Sequence, residues 1–354
     1  MTQGFASRYY IDKVKGIVNS LPHRLTHLCA LLGRTGRASL PSGWVALTAL
    51  VLLAALSSPL SADGSRIFFE TGNLTDILRQ VSLIGMISLG MTLVILTGGI
   101  DLSVGSVLAL STVIAATGLT HPWLDGYPSL HILTALTLAV VVCAAAGAVS
   151  GLVVARFAVQ PFIATLAAMI GIRGLAKWFT ANENIDIGFG ADVAARFADA
   201  FREKTVVIGT YAAAVGIFWL LLARTVFGRH VRAIGDNPTA AVYAGLPIVS
   251  TQIRVYTLSG LLAGVAGVLY AAENHQGNPN AGVAYELDAI AAVVIGGTRL
   301  SGGQGTIGGT VVGTLIMGVL TNLLRLNNVD SNVEMMIKAL IIVLAVAIQR
   351  GKKT

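Results

Sequence analysis

Residues 90–108 read GMTLVILTGGIDLSVGSVL, and this stretch decides the fold of the chain. An apolar run of helical length ends at the glycine pair Gly98 and Gly99, and Gly105 opens another apolar run. The short link between them carries a single acidic residue, Asp101. Since glycine accepts backbone conformations that other residues avoid, the pattern predicts two apolar helices joined by a tight turn.

A second copy of the pattern lies near the carboxyl end, where residues 292–307 read AVVIGGTRLSGGQGTI. The glycines of both copies follow the same order at a constant offset, because 296 − 98 and 303 − 105 both equal 198. Two glycine-broken apolar segments in corresponding places point to the working centre of a transporter. The two turns, with one polar residue of a later apolar run, therefore supply our hinge or pathway candidates: Gly98, Gly99, Asp101, Ser103, Gly105, Gly296, Gly297, Gly303 and Asn322.

The composition places these segments in a membrane protein. Of the 354 residues, 55% are hydrophobic and only 12% are charged, whereas soluble domains carry roughly 25% charged residues. Many apolar runs approach the length of about 20 residues that spans a bilayer, and the alternating segments typical of a β-barrel are missing. We therefore predict an all-α, polytopic transmembrane bundle of about ten spans, with glycine-broken or re-entrant segments.

The predicted spans form a single transmembrane domain over residues 44–350, after a basic amino-terminal tail over residues 1–43. Basic residues gather in the tail, in the loop 224–253 and at the carboxyl end, and such residues mark cytoplasmic loops. Both termini are therefore predicted to be cytoplasmic, with Arg173, Lys177, Arg325 and Lys338 as exceptions that snorkel at the outer helix ends. The expected spans cover residues 44–60, 80–97, 104–119, 130–155, 161–180, 205–223, 254–272, 287–298, 305–325 and 334–349; the short run 287–298 either spans or re-enters.

The loop 224–253 contains the signals of a short helix. Asp236 or Asn237 can cap it, Pro238 suits its first position, and Gly245 stops it. A helix on a basic cytoplasmic loop either receives force from a soluble motor protein or is a solvated connection without a partner. The spacing alone leaves both interpretations open.

Other motifs argue against an enzyme. The letters LSGGQ at residues 300–304 match a signature of ATP-binding cassette ATPases, but the phosphate-binding sequence GxxxxGK followed by Ser or Thr is missing. The only Gly-Lys pair, Gly351-Lys352, ends the chain. The six histidines and two cysteines show no metal-ligand spacing. We expect no catalytic residues and no metal site.

Four segments resemble those of a known family. Residues 90–110, the QPFIATL of residues 160–166, residues 228–246 and the long run from Tyr285 are similar to the ribose-type (galactofuranose-like) membrane permeases of bacterial ATP-binding cassette sugar importers. The resemblance covers most of residues 75–350. In that family the counterpart of residues 228–246 is the loop that couples the permease to the ATPase. The resemblance therefore implies this coupling role for Gly228, Arg229, Arg232, Gly235, Asp236, Asn237, Ala240, Ala241 and Gly245.

The resemblance implies a permease subunit that forms the transmembrane path for a monosaccharide, a pentose or a related sugar. It implies a cassette ATPase, a periplasmic sugar-binding protein and a second permease copy, identical or similar, as partners in the bacterial inner membrane. ATP and magnesium would be bound by the ATPase, so this chain needs no cofactor of its own, and nucleic acid is not expected as a partner.

The alternative is a secondary transporter of a small polar solute that is driven by an ion gradient. Such a protein also has repeated broken helices, but it needs several acidic residues within the membrane, and only Asp101 comes near that description. Inserting a carboxylate into the membrane interior costs a free energy of roughly 2.5–3.5 kcal/mol, so such a residue is usually functional. Asp101 can instead cap a helix that begins at Leu102.

Asn322 and its neighbour Thr321 lie in an otherwise apolar span, where they either line the path or join helices. The predicted topology places both glycine turns on the cytoplasmic side, as hinges of the moving helices.

Overall fold

The computed structural model describes residues 42–61, 63–121, 126–188 and 192–350. The predicted tail of residues 1–43 lies almost entirely outside the described residues, as do residues 351–354. Within the described part the chain forms α1 Ser42–Ser57, α2 Thr71–Leu96, α3 Val104–Thr120, α4 Pro128–Arg156, α5 Pro161–Phe179, β1 Ile185–Asp186, α6 Val193–Phe201, α7 Lys204–Arg224, α8 Val226–Asp236, α9 Pro238–Tyr243, α10 Ile248–Asn274, β2 Gln276–Gly277, α11 Tyr285–Ile295, α12 Ile307–Leu326 and α13 Ser331–Arg350, with a 3-10 turn at Ile67–Phe69.

Each predicted apolar run coincides with one helix, and the all-α prediction is confirmed. Within the described residues six helices, α2, α4, α5, α7, α10 and α12, are long and apolar enough to cross a membrane, and α1 and α3 are shorter apolar helices. Helix α11 has 11 residues, so at 1.5 Å per residue it covers about 16 Å of a hydrocarbon core roughly 30 Å thick. The expected count of about ten spans is therefore not confirmed, and the run 287–298 is too short to span.

Helices α2 and α10 form the centre of the bundle. In their most apolar windows 78% and 72% of the residues are buried, against 17% in α5, which lies at the periphery. Helix α10 packs against α2, α3 and α4. The side chains between these helices form one continuous apolar core.

Glycines bring α4 and α10 into backbone contact. A Cβ atom placed on Gly147 would lie 3.1 Å from the Cα atom of Gly260, and one placed on Gly151 would lie 2.9 Å from the Cα atom of Ile253. Helices in a membrane gain nothing from excluding water from one another, so close packing of small residues stabilises such pairs.

The two ends of the bundle differ in chemistry. At the hairpin end, defined by the antiparallel pair β1 and β2, ion pairs join three helices: Lys204 contacts Asp76 at 2.9 Å, and Arg79 contacts Glu273 at 3.3 Å. At the connector end, defined by α8 and α9, the charged side chains are mainly basic. Helices α2, α7 and α10 run between these two ends.

The α4–α10 contact provides a stability test. We expect Gly260→Ala to lower the thermal unfolding midpoint in detergent, because the added methyl would collide with the Cys143 carbonyl, and overpacking costs about 1–3 kcal/mol. Gly216→Ala is the matched control, since a Cβ atom there meets no atom within 4 Å and alanine is the better helix former. Equal midpoints for the two variants would contradict this packing.

Candidate functional site

The two glycine turns of the sequence repeat lie side by side at the connector end. The N–H of Gly303 donates to the carbonyl of Leu96 at 3.0 Å, which joins the second turn to the last residue of α2. Gly98 and Gly303 have φ angles of +82° and +77°, a region that side chains disfavour. Segments about 200 residues apart in the sequence therefore form one structural unit, which we call the paired turns (residues 97–103 and 296–306).

The junction of α8 and α9 packs directly against the paired turns. A Cβ atom on Gly235 would lie 2.6 Å from the nitrogen of Gly303 and would collide with the carbonyl of Leu96. A Cβ atom on Gly303 would lie 2.8 Å from the Cα atom of Asp236. Only glycines fit here, so the end of α8 contacts the end of α2 and the second turn through backbone atoms.

The connector confirms the predicted short helix and adds a second one. The side chain of Asn237, and not that of Asp236, caps α9 by accepting from the N–H of Ala240 at 2.9 Å. Pro238 is the first residue of α9, and Gly245 follows the helix with a φ of +71°. Helix α8 was not predicted, and Asp236 ends it.

The signal for α8 is present in the sequence as apolar residues at helical spacing. Phe227, Val231 and Ile234 follow one another at intervals of four and three residues, and the latter two are buried. The hydroxyl of Thr225 caps the helix by accepting from the N–H of Gly228 at 3.3 Å. A short amphipathic helix between two long apolar ones is easily read as a loop.

The residues assigned to the coupling loop separate into two sets. Gly228, Gly235 and Ala241 are buried and face the bundle, whereas Arg229, Asp236, Asn237, Ala240 and Gly245 are exposed and Arg232 is half-buried. The most exposed large side chains of α9 are Tyr243, at 87%, and Val242, at 61%. Neither was singled out from the sequence.

Asp101 ties the first turn to the middle of α10. Its carboxylate is 1% exposed, and one oxygen accepts from the backbone N–H and the hydroxyl of Ser103 at 3.0 and 2.6 Å. The other oxygen accepts from the hydroxyl of Ser259 at 2.8 Å. The helix begins at Val104 and not at Leu102, so Asp101 closes the turn before the helix instead of capping it.

Asp101 lies in the link between α2 and α3, outside both helices. Burial raises the pKa of its carboxyl above the ordinary value, against the lowering effect of the hydrogen bonds from Ser103 and Ser259. The hydroxyl of Tyr256 lies beside the same turn, 2.6 Å from where a Cβ atom of Gly99 would be, and it has no hydrogen-bond partner within the described residues. Sequence reasoning missed Ser259 and Tyr256, which belong to a distant helix.

Two of the predicted candidates lie away from the paired turns. Asn322 exchanges amide hydrogen bonds with Asn73 at 2.6 and 3.3 Å, near the hairpin end of α2. Gly105 contacts both the segment before α11 and the first turn of α11, since a Cβ atom there would collide with the Gly282 carbonyl and would lie 2.6 Å from a carboxylate oxygen of Glu286. The structure therefore brings together the glycine turns with Asp101 and Ser103, but not Asn322.

Comparison with known proteins assigns the chain to a family. Residues 73–346 match the family model described as "Branched-chain amino acid transport system / permease component". The chain belongs to this permease family. As a permease component it is a multi-pass membrane transport subunit and not an enzyme.

Individual relatives are similar over most of their length. The permease is 40% identical over 329 residues to the ribose import permease protein of Escherichia coli (strain K12), covering 90% of this chain and 98% of that protein. It is 37% identical to the fructose import permease protein of Rhizobium meliloti, covering 80% and 79%, and 34% identical to the L-arabinose ABC transporter permease protein of Azospirillum brasilense, covering 87% of each. No solved structure matches the chain.

The contact between α8 and the paired turns is tested by adding one methyl group at Gly235. We expect Gly235→Ala to lower the thermal unfolding midpoint of the permease, because the methyl must push α8 away from the Leu96 carbonyl at a cost of about 1–3 kcal/mol. Gly308→Ala is the matched control at the same end, where a Cβ atom meets nothing within 4 Å. An unchanged unfolding midpoint in Gly235→Ala would show that α8 does not pack against the paired turns.

The role of Asp101 is tested against a second aspartate with the same local geometry. We expect Asp101→Ala to lower the free energy of unfolding by about 1.5–3 kcal/mol, the usual value of hydrogen bonds to a charged group. Asp101→Asn should cost less, because it retains an acceptor oxygen for Ser103. Measurement is by thermal unfolding in detergent.

The control is Asp63→Ala. The exposed Asp63 accepts from the backbone N–H and hydroxyl of Ser65 at 3.0 and 2.8 Å, and among the described residues it has no interhelical partner like Ser259. Its replacement should have a smaller effect than that of Asp101. Equal losses would mean that the bond to α10 contributes nothing.

Proposed function

We propose that this permease is the transmembrane subunit of an ATP-binding cassette importer and forms the path of a monosaccharide, a pentose or a related sugar. The observation that carries the proposal is the 40% identity to a ribose import permease over nearly all of that protein. Relatives at 37% and 34% identity are named for fructose and L-arabinose. The family description names branched-chain amino acids, but the individual relatives, which match over most of their length, are named for sugars and are the better guide to substrate class.

A transporter driven by an ion gradient is a weaker candidate. Among the described residues the buried charged side chains are Asp101 and Glu334. Asp101 accepts three hydrogen bonds, and Glu334 pairs with Lys338 at 2.9 Å, as its position four residues before that lysine predicts. Both carboxylates are thus engaged in structural contacts, and the relatives are import permeases.

The geometry suggests how ATP-driven motion reaches the helices. In our proposal the cassette ATPase docks on α9, where Tyr243 and Val242 protrude, and moves α8 with it. Because Gly235 is seated on the paired turns, motion of α8 bends the chain where α2 joins α3 and where α11 joins α12. Gly98, Gly99, Gly296, Gly297 and Gly303 then act as hinges. The direction of the motion comes from the difference in ATP affinity between the two conformations.

The partners follow from this arrangement. We place the ATPase, with its ATP and magnesium, at the connector end, which makes that end cytoplasmic, and a periplasmic sugar-binding protein at the acidic hairpin end. Both termini are then cytoplasmic in an inner membrane, residues 44–350 form one transmembrane domain after the tail of residues 1–43, and a second permease copy completes the path. The basic connector supports this orientation.

The proposed function is tested by reconstitution. Vesicles that contain the permease, its ATPase and the binding protein should accumulate a radiolabelled pentose only when ATP is supplied, because the ATPase drives the switch. An imposed proton or sodium gradient should have no effect. Uptake without the ATPase would support the gradient-driven alternative and overturn the proposal.

The docking role of α9 is tested by truncating its exposed side chains. We expect Tyr243→Ala with Val242→Ala to weaken ATPase binding on the order of 30-fold, since a buried aromatic anchor contributes about 2 kcal/mol to an interface. Binding is measured by titrating the ATPase onto the permease in nanodiscs. Tyr127→Ala is the control, because Tyr127 is 68% exposed but lies beside the amino end of α4, far from α9. Similar affinities for both variants would place the ATPase elsewhere.

A further inference from the structure

The chain between β2 and α11, residues 278–284, enters the bundle without forming a helix. At one end Asn278 exchanges backbone hydrogen bonds with the hydroxyl of Thr112 at 3.0 and 3.1 Å. At the other end a Cβ atom on Gly282 would lie 2.8 Å from the carbonyl of Gly105. Thr112 and Gly105 are two turns apart on α3, so the segment lies along that helix for about 10 Å.

A side chain of α5 donates hydrogen bonds to two backbone carbonyls of this segment. The guanidinium of Arg173 donates to the carbonyl of Pro279 at 2.9 Å and to that of Ala281. Arg173 therefore stabilises the unwound segment by binding two of its carbonyls. Irregular backbone at membrane depth occurs only where it is buried in protein or lines a water-filled cavity.

Part of the polar surface around Arg173 stays uncovered. Arg173 interacts electrostatically with Glu286, and both side chains are only half-buried, while Asn280 is exposed. On α5 the neighbouring Gly171 and Gly174 face open space, with no atom within 4 Å of a Cβ atom on either. Ionised side chains are energetically unfavourable when they face lipid. This face of the permease therefore faces water or protein.

We propose that Arg173, Glu286 and Asn280 line the aqueous path and bind the hydroxyl groups of the monosaccharide in transit. The inference rests on the proposed function and names residues for it. A guanidinium donates to neighbouring hydroxyl oxygens, a carboxylate accepts from two hydroxyls, and an amide does both. The exposed placement suits a path, where contacts must be weak enough to release the sugar.

The position of this polar face links it to the hinge. Gly105 is part of the first repeat, and its missing side chain leaves the room that the carboxylate of Glu286 occupies. Glu286 lies in the first turn of α11, which ends at the second glycine turn. Motion of either turn therefore changes the surroundings of Glu286, which would alter sugar affinity between the two conformations.

Transport kinetics test the sugar contacts. In vesicles with the ATPase and binding protein, Glu286→Gln and Asn280→Ala should each change the KM or maximal rate of sugar uptake at least tenfold. ATPase stimulation by the loaded binding protein should persist, which shows that the complex still assembles. Glu183→Gln is the control, because Glu183 is an exposed carboxylate in the chain after α5. Wild-type kinetics in both path variants would overturn the inference.

Cysteine labelling tests whether the face is aqueous. The natural cysteines, Cys29 and Cys143, are first replaced, and Asn280→Cys is then treated with a charged, membrane-impermeant thiol reagent in the assembled transporter. We expect rapid labelling that blocks uptake and slows at saturating pentose. Val141→Cys is the control, since Val141 is 57% exposed on the apolar surface of α4 and should not react.

The outcomes separate this inference from the proposed function. Failure of Asn280→Cys to react would overturn the aqueous path, and an oxidative cross-link between two copies at this position would assign the face to a permease interface instead. If the unmodified permease takes up no monosaccharide, the proposed function fails together with the sugar assignment. Normal uptake by the unmodified permease, with unaltered kinetics in Glu286→Gln and Asn280→Ala, would refute only the residues named here.

Discussion

The contact of Gly235 with the two glycine turns is the constraint on which the rest of the structure depends. At this point the end of α2, the link before α12 and the end of α8 approach one another at backbone distance. Any side chain larger than hydrogen would separate them. In the mechanism that we propose, such a rigid contact would pass a displacement of α8 to the long helices, because no flexible side chain lies between them to absorb it.

Away from that contact, the bundle is held together by two kinds of interaction suited to a lipid environment. Small residues allow α4 and α10 to touch along their backbones, and hydrogen bonds such as that between Thr92 and Thr310, at 2.6 Å, join α2 to α12. Lipid tails are as apolar as the helix surfaces, so packing and polar pairs replace the hydrophobic effect as the source of association.

The two halves of the repeat are alike in sequence but differ in what precedes their turns. The first turn follows a helix of 26 residues, and the second follows α11, which has 11. The missing length is supplied by residues 278–284, whose carbonyls bind Arg173. This asymmetry leaves the half-buried side chains of Arg173 and Glu286 near the first turn of α11, where Glu286 lies against Gly105 of the first repeat.

The sequence alone determined the helical class, the positions of the apolar runs, the turns at Gly98 and Gly296, and the short helix after Pro238, because apolar length, glycine and capping act between near neighbours in the chain. Only the tertiary structure decided that Asp101 binds Ser259, that α8 lies on both turns, that Asn322 pairs with Asn73, and that Arg173 serves the unwound segment. Those contacts join residues separated by about 70 to 250 positions, and nothing local in the chain specifies which distant partner a polar side chain or a glycine will meet.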